Sequence, residues 1–361
     1  MRNVQAVFLV PVLSVFGLSG LGCSESTLVD DDGGVLSDVL VSDTGEGDAD
    51  GGEQDSGASD SGAADAGADT GPAQDTGPAP DVGLDVPTIP GPDAPNLPGP
   101  FAVTTQTSMA GDTPINVCIP GGVRAPLVIF APGFMVASRF YEPTCQRLAS
   151  HGFIVIRADP PSGFRTSHNA MRDSLVGVLD WALSESPFIA QIDPGRILVS
   201  GHSLGGKLAT MVAAQDPRVT ALFAIDPVDG GFGAPDVVPS LAMGLTIPVG
   251  FAGETTNGSG GFMPCAPAAE NFQQFYAATT SAPWAAQWDF IGADHMDFVA
   301  APAGCRFCGL CPAGSADPAI VIESMHTLFV AFARRHLGDD ITMDPWLTGA
   351  QLPTGVAVTS R

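Results

Sequence analysis

The chain has 361 residues and a formal net charge of −25, yet 45% of its residues are hydrophobic. Residues 1–100 hold 18 of the 39 acidic residues and one of the 14 basic ones, which leaves 21 and 13, a net of −8, for residues 101–361. A chain this acidic, with Lys207 as its single lysine, has no basic patch to hold phosphates, which argues against nucleic acid as a partner.

Residues 1–23 read as an export signal. Arg2 supplies a minimal positive start, and an apolar stretch runs from Ala6 to Leu21 with Pro11 inside it. Gly20-Leu21-Gly22-Cys23 then has the pattern of a bacterial lipobox, in which Cys23 is lipidated and becomes the mature N-terminus. The alternative is an ordinary secretory signal; the run is too short and interrupted for a spanning anchor. The expectation is an exported protein, anchored to a membrane or cell surface through that lipid, or otherwise secreted.

Residues 24–100 are Asp, Gly, Ala, Ser, Thr and Pro, with near-repeats such as Asp69-Thr70-Gly71-Pro72 and Asp75-Thr76-Gly77-Pro78. Such a segment buries too little apolar area to offset its ordering entropy and is expected to stay a disordered acidic linker. Like charges along it favour an extended tether.

Beyond Cys23, six cysteines remain: Cys118, Cys145, Cys265, Cys305, Cys308 and Cys311. An even count in an exported domain favours disulfides, though spacing does not choose the pairing. The Cys305-x2-Cys308-x2-Cys311 run lacks a fourth ligand at matching spacing, so bridges are preferred to a metal. No metal or other cofactor is expected, and a monomer is the default oligomeric state.

From Phe101 apolar runs and turns take over, and residues 101–361 are predicted to form one α/β domain. Residues 101–109 and 115–119 read as two edge strands joined through Gly111-Asp112. Residues 126–131 form a continuous apolar run, as a buried parallel strand should. Helical spacing follows over 138–150, then a strand over 153–158 and a helix over 172–184. A strand over 196–200 runs into Gly201-His202-Ser203-Leu204-Gly205, and a helix over 204–214 follows. Strands are predicted at 219–225, 247–253 and 288–292, the last of these ending the sheet. Helices are predicted around 268–278 and over 320–337. Strands alternating with helices predict a mostly parallel sheet with helices on both faces and its site at the carboxyl strand ends. Only about twenty residues separate Asp226 from the strand at 247, too few for a large cap domain.

Strand, tight turn and helix around Gly-x-Ser-x-Gly make Ser203 the candidate nucleophile, since a side chain at Gly201 or Gly205 would collide with neighbouring backbone. A serine hydroxyl needs a base to take its proton. Of six histidines, His295 follows a strand end in a polar Ala-Asp-His-Met-Asp loop and is the candidate base. His202, inside the turn, is placed to line the substrate cleft with Met135 and Met296. Two carboxylates compete to orient His295: Asp226 after one strand and Glu254 after the next. Ser203, Asp226 and His295 occur in the chain order of α/β-hydrolases. The backbone N–H groups of Leu204 and Phe134 are the candidate oxyanion donors. Lys207 is read as structural.

Residues 124–337 resemble the chlorophyllase family and its relatives among cutinase-like and poly(ethylene terephthalate) hydrolases. The resemblance rests on Ala149-Ser150-His151-Gly152-Phe153, Gly201-His202-Ser203-Leu204-Gly205-Gly206-Lys207 and Ala224-Ile225-Asp226-Pro227-Val228-Asp229-Gly230. It continues through Cys265-Ala266-Pro267 and His295-Met296-Asp297-Phe298, with the cysteine cluster behind. It implies an α/β-hydrolase fold, carboxylic-ester hydrolysis through an acyl-enzyme, Asp226 as the acid, and bridge roles for Cys265 and the later cysteines. Leu204 stands where plant chlorophyllases carry Arg, so what carries over is a lipid-like or polyester-like ester, not the phytyl ester. Two other readings compete: a non-catalytic surface-binding lipoprotein on a hydrolase scaffold, and amide or thioester hydrolysis by the same triad.

Overall fold

A computed structural model describes residues 94–361, apart from 123, 164, 232–233 and 259–264. The export signal, Cys23 and almost all of the acidic linker therefore lie outside the described residues. Nine strands form one sheet: β1 (Val103–Ala110), β2 (Thr113–Pro120), β3 (Ala125–Ala131), β4 (Ile154–Ala158), β5 (Ile192–His202), β6 (Ala221–Ile225), β7 (Val249–Glu254), β8 (Ala285–Phe290) and β9 (Val356–Ser360). Their order is β1-β2-β4-β3-β5-β6-β7-β8-β9. The β4-β3-β5-β6-β7-β8 block is parallel, and antiparallel strands flank it. This is the mostly parallel α/β-hydrolase sheet that the strand–helix alternation predicts.

The pattern within β3 shows why the sheet is buried on both faces. Leu127, Ile129 and Ala131 enter one core, while Val128 and Phe130 enter the other. Helices α2 (His168–Ser184), α3 (Leu204–Gln215) and α5 (Phe272–Ala278) cover the first face with Leu175, Leu208 and Phe275. Helices α1 (Glu142–Ser150), α6 (Pro318–Leu337) and α7 (Asp344–Leu347) cover the second with Leu148, Phe329 and Leu347. There Phe223 stacks on Phe329 at 4.4 Å, and Trp288 donates its indole N–H to the Leu347 carbonyl at 2.8 Å. Each such ring, fully buried, contributes roughly 1.5–3 kcal/mol.

Three sequence expectations need correction, the first because β2, read as an edge strand, lies between β1 and β4. The strand placed at 288–292 is β8 at Ala285–Phe290, and it does not end the sheet: β9 pairs antiparallel with it. The strand placed at 196–200 begins at Ile192, because Ala125 and Pro126 of β3 pair with Ile192 and Asp193 ahead of a register shift. Among the described residues between β6 and β7 the one helix is the four-residue α4 (Ser240–Met243). Disulfides join Cys118 of β2 to Cys145 of α1, Cys265 to Cys311, and Cys305 to Cys308. The last two staple the segment behind the His295 turn. No helix among the described residues is long and apolar enough to cross a membrane.

Candidate active site

At the carboxyl end of β5 the chain turns sharply. Ser203 has φ 56° and ψ −122°, a left-handed conformation that costs a non-glycine residue about 1–3 kcal/mol. It persists because both sides are fixed: Ser203 N–H donates to the Ile225 carbonyl at 2.9 Å, and Lys207 N–H donates to the Ser203 carbonyl at 3.1 Å. A methyl group on Gly201 would lie 2.4 Å from the Gly205 backbone, and one on Gly205 would lie 2.1 Å from the Ala131 oxygen. Only glycine lets β5, α3 and the end of β3 approach this closely. Leu204 opens α3, whose first N–H groups have no intrahelical acceptor and lie at the positive end of the helix dipole.

The β3 end leads into Pro132-Gly133-Phe134-Met135 beside this turn. A methyl on Gly133 would sit 3.5 Å from Ser203 Cβ, so the loop and the serine are in contact. Met135 is also left-handed, at φ 58°, and Val136 N–H closes a turn on the Gly133 carbonyl at 3.1 Å. Asp159 fixes the next residues, accepting from the Ser138 N–H and hydroxyl at 2.7 Å each. Phe134, Met135 and Met296 are half-buried, and Leu204 is buried.

His295 lies in a short 3-10 turn after β8. Asp294 caps it, with Oδ1 accepting from Met296 N–H at 2.8 Å, while Asp297 Oδ2 accepts from Asp294 N–H at 2.9 Å. The other Asp294 oxygen accepts from Gly314 N–H at 2.7 Å and so docks the cysteine-stapled segment. His295 Nδ1 lies 2.6 Å from Asp226 Oδ2. A carboxylate accepts, so Nδ1 carries the proton and Nε2 is left as the acceptor of the neutral ring. Asp226 follows β6, is fully buried at φ 42°, and donates its N–H to the Ala252 carbonyl at 2.6 Å. Burial pushes its carboxyl above the usual range, and the His295 hydrogen bond pulls it back. Buried Lys207 lies 3.1 Å from Asp229 Oδ1, and that carboxylate accepts from Val237 and Val238 N–H, which holds the 226–239 connection.

Glu254 ends β7 and is also buried, but its two oxygens accept from Asn257 N–H at 2.9 and 2.8 Å. Burial first, and the Asp226 charge second, push its carboxyl up to about 7. The described geometry therefore pairs His295 with Asp226, while Glu254 closes its own turn. His202 is not on the cleft wall where the sequence reading put it. It is 1% exposed, with Nε2 at 2.9 Å from the His295 carbonyl and Nδ1 at 2.7 Å from the Tyr141 hydroxyl. Sequence reasoning missed Tyr141, whose helical spacing marks it only as core. Among the described residues no cluster of His, Cys, Asp or Glu could hold a metal ion.

A family model described as chlorophyllase matches residues 101–346. Chlorophyllase-1 of Arabidopsis thaliana is 28% identical over an alignment covering 68% of this chain and 84% of that protein. Bis(hydroxyethyl) terephthalate hydrolase of Streptomyces coelicolor is 28% identical over 47% of this chain and 50% of that protein. Cutinase 2 of Thermobifida cellulosilytica is 30% identical over 28% of this chain and 38% of that protein.

Proposed function

We propose, from the premise that this chain belongs to the chlorophyllase family, a mechanism in which Ser203, His295 and Asp226 hydrolyse carboxylic esters through an acyl-enzyme. The chain is an ester hydrolase of the serine type, as its relatives are. Ser203 Oγ attacks the ester carbonyl as His295 Nε2 takes its proton. Asp226 holds Nδ1–H and balances the imidazolium that forms. The Leu204 and Phe134 N–H groups receive the oxyanion, each worth about 2.7–4 kcal/mol in the transition state. His295 then returns its proton to the leaving alcohol, and water, deprotonated by the same nitrogen, releases the acid.

The observation that carries the reading is the 2.6 Å His295–Asp226 hydrogen bond, next to a serine held in the left-handed turn of Gly-x-Ser-x-Gly. Ser203→Ala is expected to lower p-nitrophenyl butyrate turnover at least about 10⁴-fold with an unchanged melting temperature; near-normal turnover would sink the reading. The short connection between β6 and β7, in which α4 is the one helix among the described residues, suits a site without a large cap and hence bulky esters.

The remaining steps concern residues outside the described ones. Export through 1–23, lipidation at Cys23 and a tether over 24–100 would hold the esterase domain away from a membrane. Metabolic labelling with a fatty acid should mark the wild type and miss Cys23→Ala; equal labelling would exclude the anchor.

A further inference from the structure

Three hydrogen bonds connect the loop after β3 to the His295 turn, and the mechanism above uses none of them. Gly133 N–H donates to the Tyr141 hydroxyl oxygen at 3.2 Å. That hydroxyl lies 2.7 Å from His202 Nδ1, and His202 Nε2 lies 2.9 Å from the His295 carbonyl. The direction of the chain follows from chemistry. A carbonyl oxygen only accepts, so His202 Nε2 carries a proton. Burial, and then the neighbouring His295, hold the His202 imidazole well below its ordinary range, so the ring is neutral and Nδ1 is bare. Tyr141 must therefore donate to Nδ1, which leaves its oxygen to accept from Gly133. Every donor in the chain has an acceptor, and its groups are buried.

We infer that Tyr141 and His202 are positioning residues that lock the Phe134 oxyanion loop and the His295 main chain into one register around Ser203. The inference rests on the triad reading above. At one end the chain holds the Gly133 peptide, the unit next to the Phe134 N–H. At the other end it holds the backbone of His295. In the middle is the residue that precedes Ser203. Neither linking side chain can drift. Tyr141 is 1% exposed and packs on Phe130 at 4.9 Å, and the His202 ring lies 4.6 Å from the His295 ring. Preorganisation of this kind matters because a misplacement of about 1 Å costs on the order of 100-fold in rate. The arrangement has a second consequence. His295 becomes positive during the reaction, and a His202 ring kept neutral by its burial places no second cation beside it.

The test uses the full chain and compares Tyr141→Phe, His202→Phe and His202→Gln, with kcat expressed per site titrated by a fluorophosphonate. Tyr141→Phe keeps the ring and removes only the hydroxyl. We expect kcat to fall about 10- to 100-fold with KM within about twofold, the signature of an interaction that matters in the transition state. His202→Phe should fall at least as far. His202→Gln should recover part of the loss, because its amide N–H can still reach the His295 carbonyl. Wild-type kcat per titrated site in Tyr141→Phe would overturn the inference. Should the variants fail to fold, nitrogen NMR of the wild-type imidazoles decides: at neutral pH, His202 should be neutral with its proton on Nε2. A proton on Nδ1 would overturn it. Turnover surviving in Ser203→Ala would instead strike the triad reading, so the two failures are distinguishable.

Discussion

Ser203 is held by backbone packed around a five-residue turn, whereas His295 is held by hydrogen bonds, two of them from the distant side chains of Asp226 and His202. At the serine turn, two glycines let three backbones meet, and a strand and a helix pull on either side. No side-chain hydrogen bond is needed to set its shape. At the histidine turn, Asp226 orients the ring, Asp294 and Asp297 cap the backbone, Gly314 docks behind, and His202 fixes the carbonyl. The first turn is rigid because it is crowded. The second is held because polar groups pair across it. Crowding breaks when an atom is added; pairing breaks when a partner is removed.

The largest effect should come from adding a methyl where there is no room. Gly205→Ala would place Cβ 2.1 Å from the Ala131 oxygen and 2.6 Å from the Pro132 oxygen. Backbone cannot yield as a flexible side chain does, so we expect a cost of about 3 kcal/mol or more and loss of activity, read by denaturant unfolding and p-nitrophenyl ester assay. Gly177→Ala is the control. It lies on the exposed face of α2 with nothing within 4 Å of the new methyl, and it should stabilise by about 0.4–1 kcal/mol. Equal behaviour of the two variants would deny that crowding shapes the serine turn.

The histidine turn should yield to a change in pairing. Asp226→Asn keeps the shape and removes the charge that selects the Nδ1–H tautomer; kcat should drop about 10⁴-fold. Glu254→Gln should stay within about tenfold, because Glu254 bonds Asn257 and not His295. The reverse ranking would make Glu254 the acid.

Glu254 should announce itself in stability instead. Its folded-state value of about 7 stands above the ordinary 4.5, so the folded protein holds this proton more tightly than the unfolded chain does. The stabilising share is complete below about pH 4.5 and is lost as pH climbs through 7. The melting temperature of the wild type should fall across that window, and Glu254→Gln should make the fall shallower. An unchanged slope would show that Glu254 is not buried as an acid.

The same contrast explains what was legible in the sequence. The serine turn is local, so glycine spacing between an apolar run and a helical pattern is enough to find it. The parallel core was legible for a similar reason: a strand buried on both faces, such as β3, reads as one continuous apolar run. The Asp226–His295 pair spans 69 positions, and residue order with a family resemblance was needed to prefer it to Glu254. Tyr141 was invisible as a polar group, because a tyrosine at helical spacing looks like core until its hydroxyl is seen to bridge Gly133 and His202. Strand β9 carries a weak signal, the Val356-x-Val358-Thr359 alternation after Gly355, with the valines half-buried and Ala357 and Thr359 exposed. The disulfide pairing could not be read at all, since spacing constrains the loops and not which ends meet.

The most direct test of the central claim is the mass of the peptide that carries a fluorophosphonate label. The account predicts one label per chain, on the peptide containing Ser203, with ester turnover lost in step with labelling and neither label nor turnover in Ser203→Ala. A label on another residue, or ester turnover that persists in a fully labelled enzyme, would contradict it.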